Sequence, residues 1–148
     1  CLGCFASKGD AAGLRAGGGI ILDKSIWGGG AAVDFHASVL PLAITFFVDR
    51  YESSLFSTSF YGINILARAD VAGDKTNIYL GGGIGGMRVK EKTFNFTRQS
   101  FVFNLAIRIR LKLTNRIGFY SEFRHNLIIS NAEVDLTGLV GLSLNVGK

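Results

Sequence analysis

The stretch Phe101-Val102-Phe103-Asn104-Leu105-Ala106-Ile107-Arg108-Ile109-Arg110-Leu111-Lys112-Leu113 decides the fold. In steps of two, Phe101, Phe103, Leu105, Ile107, Ile109, Leu111 and Leu113 form one series. Val102, Asn104, Ala106, Arg108, Arg110 and Lys112 form the other. Successive side chains of a strand point to opposite faces, so the segment has one apolar and one charged face. Wound as a helix, it would scatter Arg108 and Lys112 among the leucines and isoleucines and leave no clean apolar stripe. A β-strand over residues 98–113 follows.

The same template recurs along the chain. Gly29, Ala31, Val33, Phe35 and Ala37 alternate with Gly28, Gly30, Ala32, Asp34 and His36, and Ile44, Phe46 and Val48 alternate with Ala43, Thr45, Phe47 and Asp49. Tyr61, Ile63, Ile65 and Ala67 oppose Gly62, Asn64, Leu66 and Arg68; Ile117, Phe119, Ser121 and Phe123 oppose Gly118, Tyr120, Glu122 and Arg124. In the last segment Val140, Leu142, Leu144 and Val146 oppose Leu139, Gly141, Ser143 and Asn145. Residues 14–22 and 76–87 carry the pattern faintly, because glycine marks neither face. This makes about eight strands of roughly ten residues, the number and length of a small membrane barrel. Short links at 38–41, 72–75 and 114–116 alternate with longer ones at 52–59, 89–99 and 127–133, residues 23–25 being a short member of the second set. The expectation is an all-β, eight-stranded antiparallel up-and-down transmembrane β-barrel, with residues 13–148 as one barrel domain and 1–12 as an N-terminal segment.

Composition narrows the class. Of 148 residues, 48% are hydrophobic and 18% charged, with 20 Gly, one Pro and two Cys, and the mean hydropathy is +0.32. That excludes a disordered tail, a collagenous repeat and a disulfide-dense mini-protein. The formal charge of +5 is not gathered into a Lys/Arg run, which argues against nucleic acid as a partner. No unbroken stretch of about 20 apolar residues provides a transmembrane helix. A membrane would have to be crossed by strands.

Volume decides which face looks outward. An eight-stranded barrel has room inside only for its own side chains, and the apolar series carries several large residues per strand. It therefore faces lipid. The other face combines Gly, Ala, Ser, Thr and Asn with charges of both signs. Arg15, Arg68, Arg108, Arg110, Lys112 and Arg124 stand against Asp34, Asp49, Asp70, Glu122 and Asp135. Facing hydrocarbon, unpaired cations would cost about 2 to 4 kcal/mol each at mid-bilayer. An ion network that plugs the lumen is expected instead. Trp27, Phe35, Phe46, Tyr61, Tyr79, Phe101, Phe119 and Phe123 are assigned to the outward set, several of them as interfacial girdle residues.

Two resemblances extend this reading. The segment Ile78-Tyr79-Leu80-Gly81-Gly82-Gly83-Ile84-Gly85-Gly86, followed by a polar loop, a strand and Gly118-Phe119-Tyr120-Ser121-Glu122-Phe123-Arg124, resembles the opacity-type small outer-membrane β-barrel proteins of Gram-negative bacteria. The resemblance implies an outer-membrane location, no cofactor, and a structural or interaction role in the cell envelope through extracellular loops. Such barrels usually end in an aromatic residue used for assembly, whereas here the order is Leu144-Asn145-Val146-Gly147-Lys148. The second resemblance makes an enzyme the alternative. Phe123-Arg124-His125 with Ser130-Asn131-Ala132-Glu133 is similar to the lipid A 3-O-deacylases, implying His125 as base for Ser130 and Glu133 or Asp135 as its orienter. In that family His and Ser are two apart on one strand face; here they are five apart, and a polar loop ending a strand accounts for the same residues.

The remaining candidates are weighed on their chemistry. His36 lies beside Asp34 on the polar face, but two histidines make no metal cluster, and a hydrogen-bonded lumen residue is expected. The glycine triplets at 17–19 and 81–83 have no following helix or Lys-Ser/Thr to make a phosphate loop, and fit curvature and close packing instead. Lys24, Arg50, Arg88, Lys90, Lys92 and Arg98 sit near the loops, where they could contact lipopolysaccharide phosphates. Cys1 invites lipidation, against a Cys1–Cys4 disulfide or an arbitrary start. A soluble lipocalin-like carrier, with the apolar face turned inward, is the remaining alternative.

Overall fold

The computed structural model describes residues 12–37, 40–71 and 75–146. Cys1, with the lipidation expected there, lies outside them. Eight strands, β1 (Ala12–Ile21), β2 (Ile26–His36), β3 (Leu42–Glu52), β4 (Phe56–Val71), β5 (Thr76–Glu91), β6 (Thr97–Lys112), β7 (Ile117–Ile128) and β8 (Glu133–Val146), pair in chain order. β8 closes back on β1, so the sheet is a closed antiparallel barrel without an open edge.

The stagger follows from the register. From Asn145 on β8 the paired positions run Gly13, Asp34, Thr45, Asn64, Gly83, Asn104, Asn126 and return to β8 at Asp135, ten residues away. A stagger of ten over eight strands tilts them by about 40°. The outward apolar series of β6 runs from Phe101 to Leu111. At about 3.4 Å per residue and that tilt it stands about 26 Å tall, matching the apolar band of a membrane barrel.

The outer wall carries a broad apolar band. Trp27 is 71% exposed, and Ile65, Leu80, Leu105, Val140 and Leu142 are exposed with it. The inward-apolar carrier is thereby ruled out, because the large side chains stand outside, where the narrow bore puts no limit on them. Tyr79 corrects the outward assignment. It is buried in the lumen, since Leu80 and Ile84 hold the outer face of β5 and leave odd positions inside. The connections differ too. Strands run on through the segments read as longer loops, pairing Glu52 with Ser57, Phe56 with Glu91 and Lys90 with Thr97. Phe56, Thr58, Val89, Thr97 and Ile128 in those segments are strand formers that extend the ladder, leaving links of three to five residues at 53–55, 92–96 and 129–132. We call this rim the loop end and the rim with residues 40–41, 75 and 113–116 the turn end.

The lumen is layered. Ile21, Tyr51, Phe60, Met87, Val102 and Ile128 pack together toward the loop end. Ala43, Leu66, Tyr79 and Ala106 make a smaller apolar cluster nearer the turn end. Charged side chains lie with them.

Candidate functional site in the lumen and at its mouth

Inward parity brings Arg15 of β1, Asp34 of β2, Asp49 of β3, Arg108 of β6 and Glu122 and Arg124 of β7 into one connected set. Glu122, with a side chain 0% exposed, accepts from all three arginines. Arg15 Nη1 lies 2.8 Å and Arg108 Nε 2.6 Å from its Oε2, and Arg124 Nη2 donates to its Oε1. Asp34 holds Arg15 Nε at 2.7 Å and Arg108 Nη1 at 3.2 Å, and it accepts the Thr45 hydroxyl at 2.6 Å. Asp49 takes Arg124 Nη1 at 2.5 Å. Three guanidinium groups thus face three carboxylates, a neutral set that joins β1–β3 to β6–β7 across the bore.

Rings complete each arginine's surroundings. Arg15 lies 4.9 Å from the Tyr120 ring centroid, Arg108 5.1 Å from Tyr79, and Arg124 3.8 Å from Phe47. A guanidinium held by a carboxylate and a ring face recovers part of the cost of leaving water. Glycine makes the room. A Cβ on Gly30 would collide with the Asp49 carboxylate, and one on Gly17 would come within 2.8 Å of the Tyr120 hydroxyl.

The other inward charges lie elsewhere along the axis. Arg110 bonds Ser143 Oγ at 3.0 Å and the Asn145 side-chain carbonyl. Arg68 pairs with Asp70 at 2.7 Å, and Asn77 donates to the same carboxylate at 2.5 Å. Lys112 is half-buried near the turn end. Asp135 is at the opposite mouth, 2.5 Å from Lys24 Nζ. His36 Nε2 is 3.3 Å from the Tyr79 hydroxyl. Among the described residues no group of three or more His, Cys, Asp or Glu side chains is placed to hold a metal. Thr45, Tyr79, Tyr120 and Phe47 are parts of the network that charge alone does not reveal. For Thr45 and Phe47 the signal is shared parity with Asp49 on β3, and for Tyr120 with Glu122 on β7; Tyr79 has no network charge of that kind on β5.

The hydrolase arrangement is not assembled. His125 is exposed on the outer face of β7, while Ser130, in the β7–β8 link, bonds Arg98 at 3.1 Å and Ser100 at 2.9 Å. Five residues of separation leave the two on different surfaces. The loop-end cations also divide. Arg50 and Lys92 pair with Glu52 at 2.6 and 3.7 Å, and Lys24 and Arg98 line the mouth. Arg88 and Lys90 are exposed on the outer wall of β5. Arg50 and Arg88 both pair in register with Ser59, one step beyond the row Val48, Tyr61, Gly86, Phe101.

No family model matches the sequence, and no curated protein matches it. The fold has close counterparts. The chain is similar to the N-terminal β-barrel domain of Pseudomonas aeruginosa OprF, with a TM-score of 0.76 at 9% identity over 93% of this chain and 98% of that one. It is also similar to Neisserial surface protein A, at 0.67 and 12% over 91% and 95%. Ail, the attachment invasion locus protein of Yersinia pestis, follows at 0.64 and 12% over 90% and 96%, in a structure with the heparin analogue sucrose octasulfate. At such identities the likeness shows the fold alone.

Proposed function

We propose that this chain is a non-enzymatic integral protein of a bacterial outer membrane, with a lumen plugged by its ion network and a structural or interaction role exerted from the loop end. The observation that carries the reading is the pairing of an apolar outer wall with a neutral, buried, cross-lumen set of charges centred on Glu122. The wall suits lipid, and charges held by several strands at once leave little freedom for an ion path. Arg50, Arg88 and Lys90, just beyond the Tyr61 and Phe101 row, are the outer-wall residues suited to lipopolysaccharide phosphates. That Ail, a barrel of the same fold, was solved in complex with the heparin analogue sucrose octasulfate is in keeping with an anionic partner.

The test is planar-bilayer recording of the refolded protein beside a Glu122→Ala, Arg124→Ala double variant, with heat-modifiable migration reporting the folded state of each. The parent is expected to show no stable conductance and the folded variant to conduct. A stable, large conductance of the parent overturns the plug. Solubility without detergent and absence of a migration shift overturn the membrane assignment.

A further inference from the structure

The loop-end mouth is a blind cavity of about 400 Å³. Its floor is the apolar layer containing Met87, packed with Ile21, Tyr51, Phe60 and Ile128, so whatever enters meets a closed end. The walls combine apolar side chains, Phe56, Met87, Val89 and Phe96 about β4–β6 and Ile26 on β2, with Glu91, Glu133, Asp135, Lys24 and Arg98. A volume in the range of small-molecule sites, apolar walls and a few convergent polar groups are the attributes of a ligand site.

The charges identify the kind of ligand. Asp135 has a side chain 1% exposed. Lys24 holds its Oδ1, the Asp23 carboxylate lies beside it, and the Asp135 Oδ2 has no hydrogen-bond donor. A buried carboxylate oxygen without a donor is costly. Glu91 and Glu133 have no ion-pair partner among the described residues, and Arg98 is bonded to Ser130. Three carboxylates against two cations leave the cavity one positive charge short. A cationic donor satisfies Asp135 best, because charge-assisted bonds are the stronger ones. Phe56, Phe96 and Met87 then offer an apolar and aromatic surface to the rest of the molecule.

We propose that this cavity binds a small amphiphile bearing a protonated amine, its ammonium on Asp135 with Glu133 one step along the same strand face, and its apolar body against Phe56, Met87 and Phe96. The site goes beyond the plugged-barrel reading and stands above the plug.

Met87 is the single methionine of the chain, so one carbon-13 methyl resonance reports on the cavity. The barrel, refolded in detergent and verified by its heat-modifiable migration, is titrated with 2-phenylethylamine, 2-phenylethanol and phenylacetate. The amine is expected to shift the resonance saturably, the alcohol to bind at least about tenfold more weakly, and the acid to have no effect. Asp135→Asn, and separately Glu133→Gln, should weaken the amine with migration unchanged, Asp135→Asn by about tenfold. No saturable shift with the amine, equal shifts with amine and acid, or unchanged amine binding in a folded Asp135→Asn barrel overturns the proposal. None of these outcomes bears on conductance, so the plug is judged separately.

Discussion

The centre of the lumen and its loop-end mouth both hold carboxylates and cations, yet they are opposite in construction. At the centre, three arginines and three carboxylates share bonds from five strands, and each side chain is almost sealed from solvent. At the mouth, the one cation paired with Asp135 is Lys24, a side chain 43% exposed, a second carboxylate, Asp23, lies beside Asp135, and one of the Asp135 oxygens has no donor. A charge bonded on every side serves the barrel's own cohesion. A charge with bonding capacity to spare is available to something else.

The largest effect should come from the hub. Glu122→Gln keeps the shape but leaves three buried arginines facing two carboxylates. Breaking a buried ion pair by removing one partner costs about 3 to 5 kcal/mol. The urea midpoint for unfolding from lipid vesicles should fall accordingly. An unchanged midpoint would mean that the central network is not cohesive and that the contrast with the mouth is false.

A middle-sized effect tests whether glycine makes room for the network. Gly30→Val puts bulk where the Asp49 carboxylate sits beside Arg124, and overpacking typically costs about 1 to 3 kcal/mol. The same urea titration reads it. The expected loss should be much smaller when Asp49→Ala is already present, because the group that the added bulk meets is then gone. Equal losses in both backgrounds would show that Gly30 matters only to the strand backbone.

At the mouth the corresponding change should do little to the fold. Asp135→Asn keeps the shape and frees a lysine that is already half in water, so the cost should be about 1 kcal/mol, well below that of the hub. Its urea midpoint should stay close to that of the parent. A loss as large as that of Glu122→Gln would make Asp135 a structural residue and erase the distinction between the two regions.

Parity explains what could be read in the sequence. β6 and β7 carry distinctive side chains on both faces, so the directions of Arg108, Glu122 and Arg124 follow from alternation alone. β5 offers Gly81, Gly82 and Gly83 in succession, and so few side chains set its phase that alternation does not reveal the inward direction of Tyr79. Height along the axis is not legible at all. It depends on the stagger of ten, which places Arg15 within reach of Glu122 but puts Arg110, Asp70 and Asp135 at other levels. Alternation therefore selects the inward charges, while the closure of the barrel selects the pairs. The mouth was legible only as scattered loop cations, because Lys24, Glu91, Arg98 and Glu133 are far apart in sequence and each looks like ordinary loop charge.

The smallest effect concerns how the mouth is shaped. Among the described residues, the non-glycine positions with positive φ are Ser25, Asn95 and Ala132, at 53°, 53° and 54°, all in loop-end links. Asn tolerates this region through local hydrogen bonding, whereas an alanine Cβ is crowded there. Ala132 adjoins Asn131 and Glu133, both part of the cavity wall. Ala132→Gly relieves the crowding at some cost in unfolded-chain entropy, so a net stabilisation of about 0.5 to 1 kcal/mol is expected. If the strained link also holds Glu133 toward the cavity, the same substitution should weaken 2-phenylethylamine while raising the urea midpoint. Stability and binding moving in opposite directions would show that the mouth stores its order in backbone geometry, where the centre stores it in paired charge.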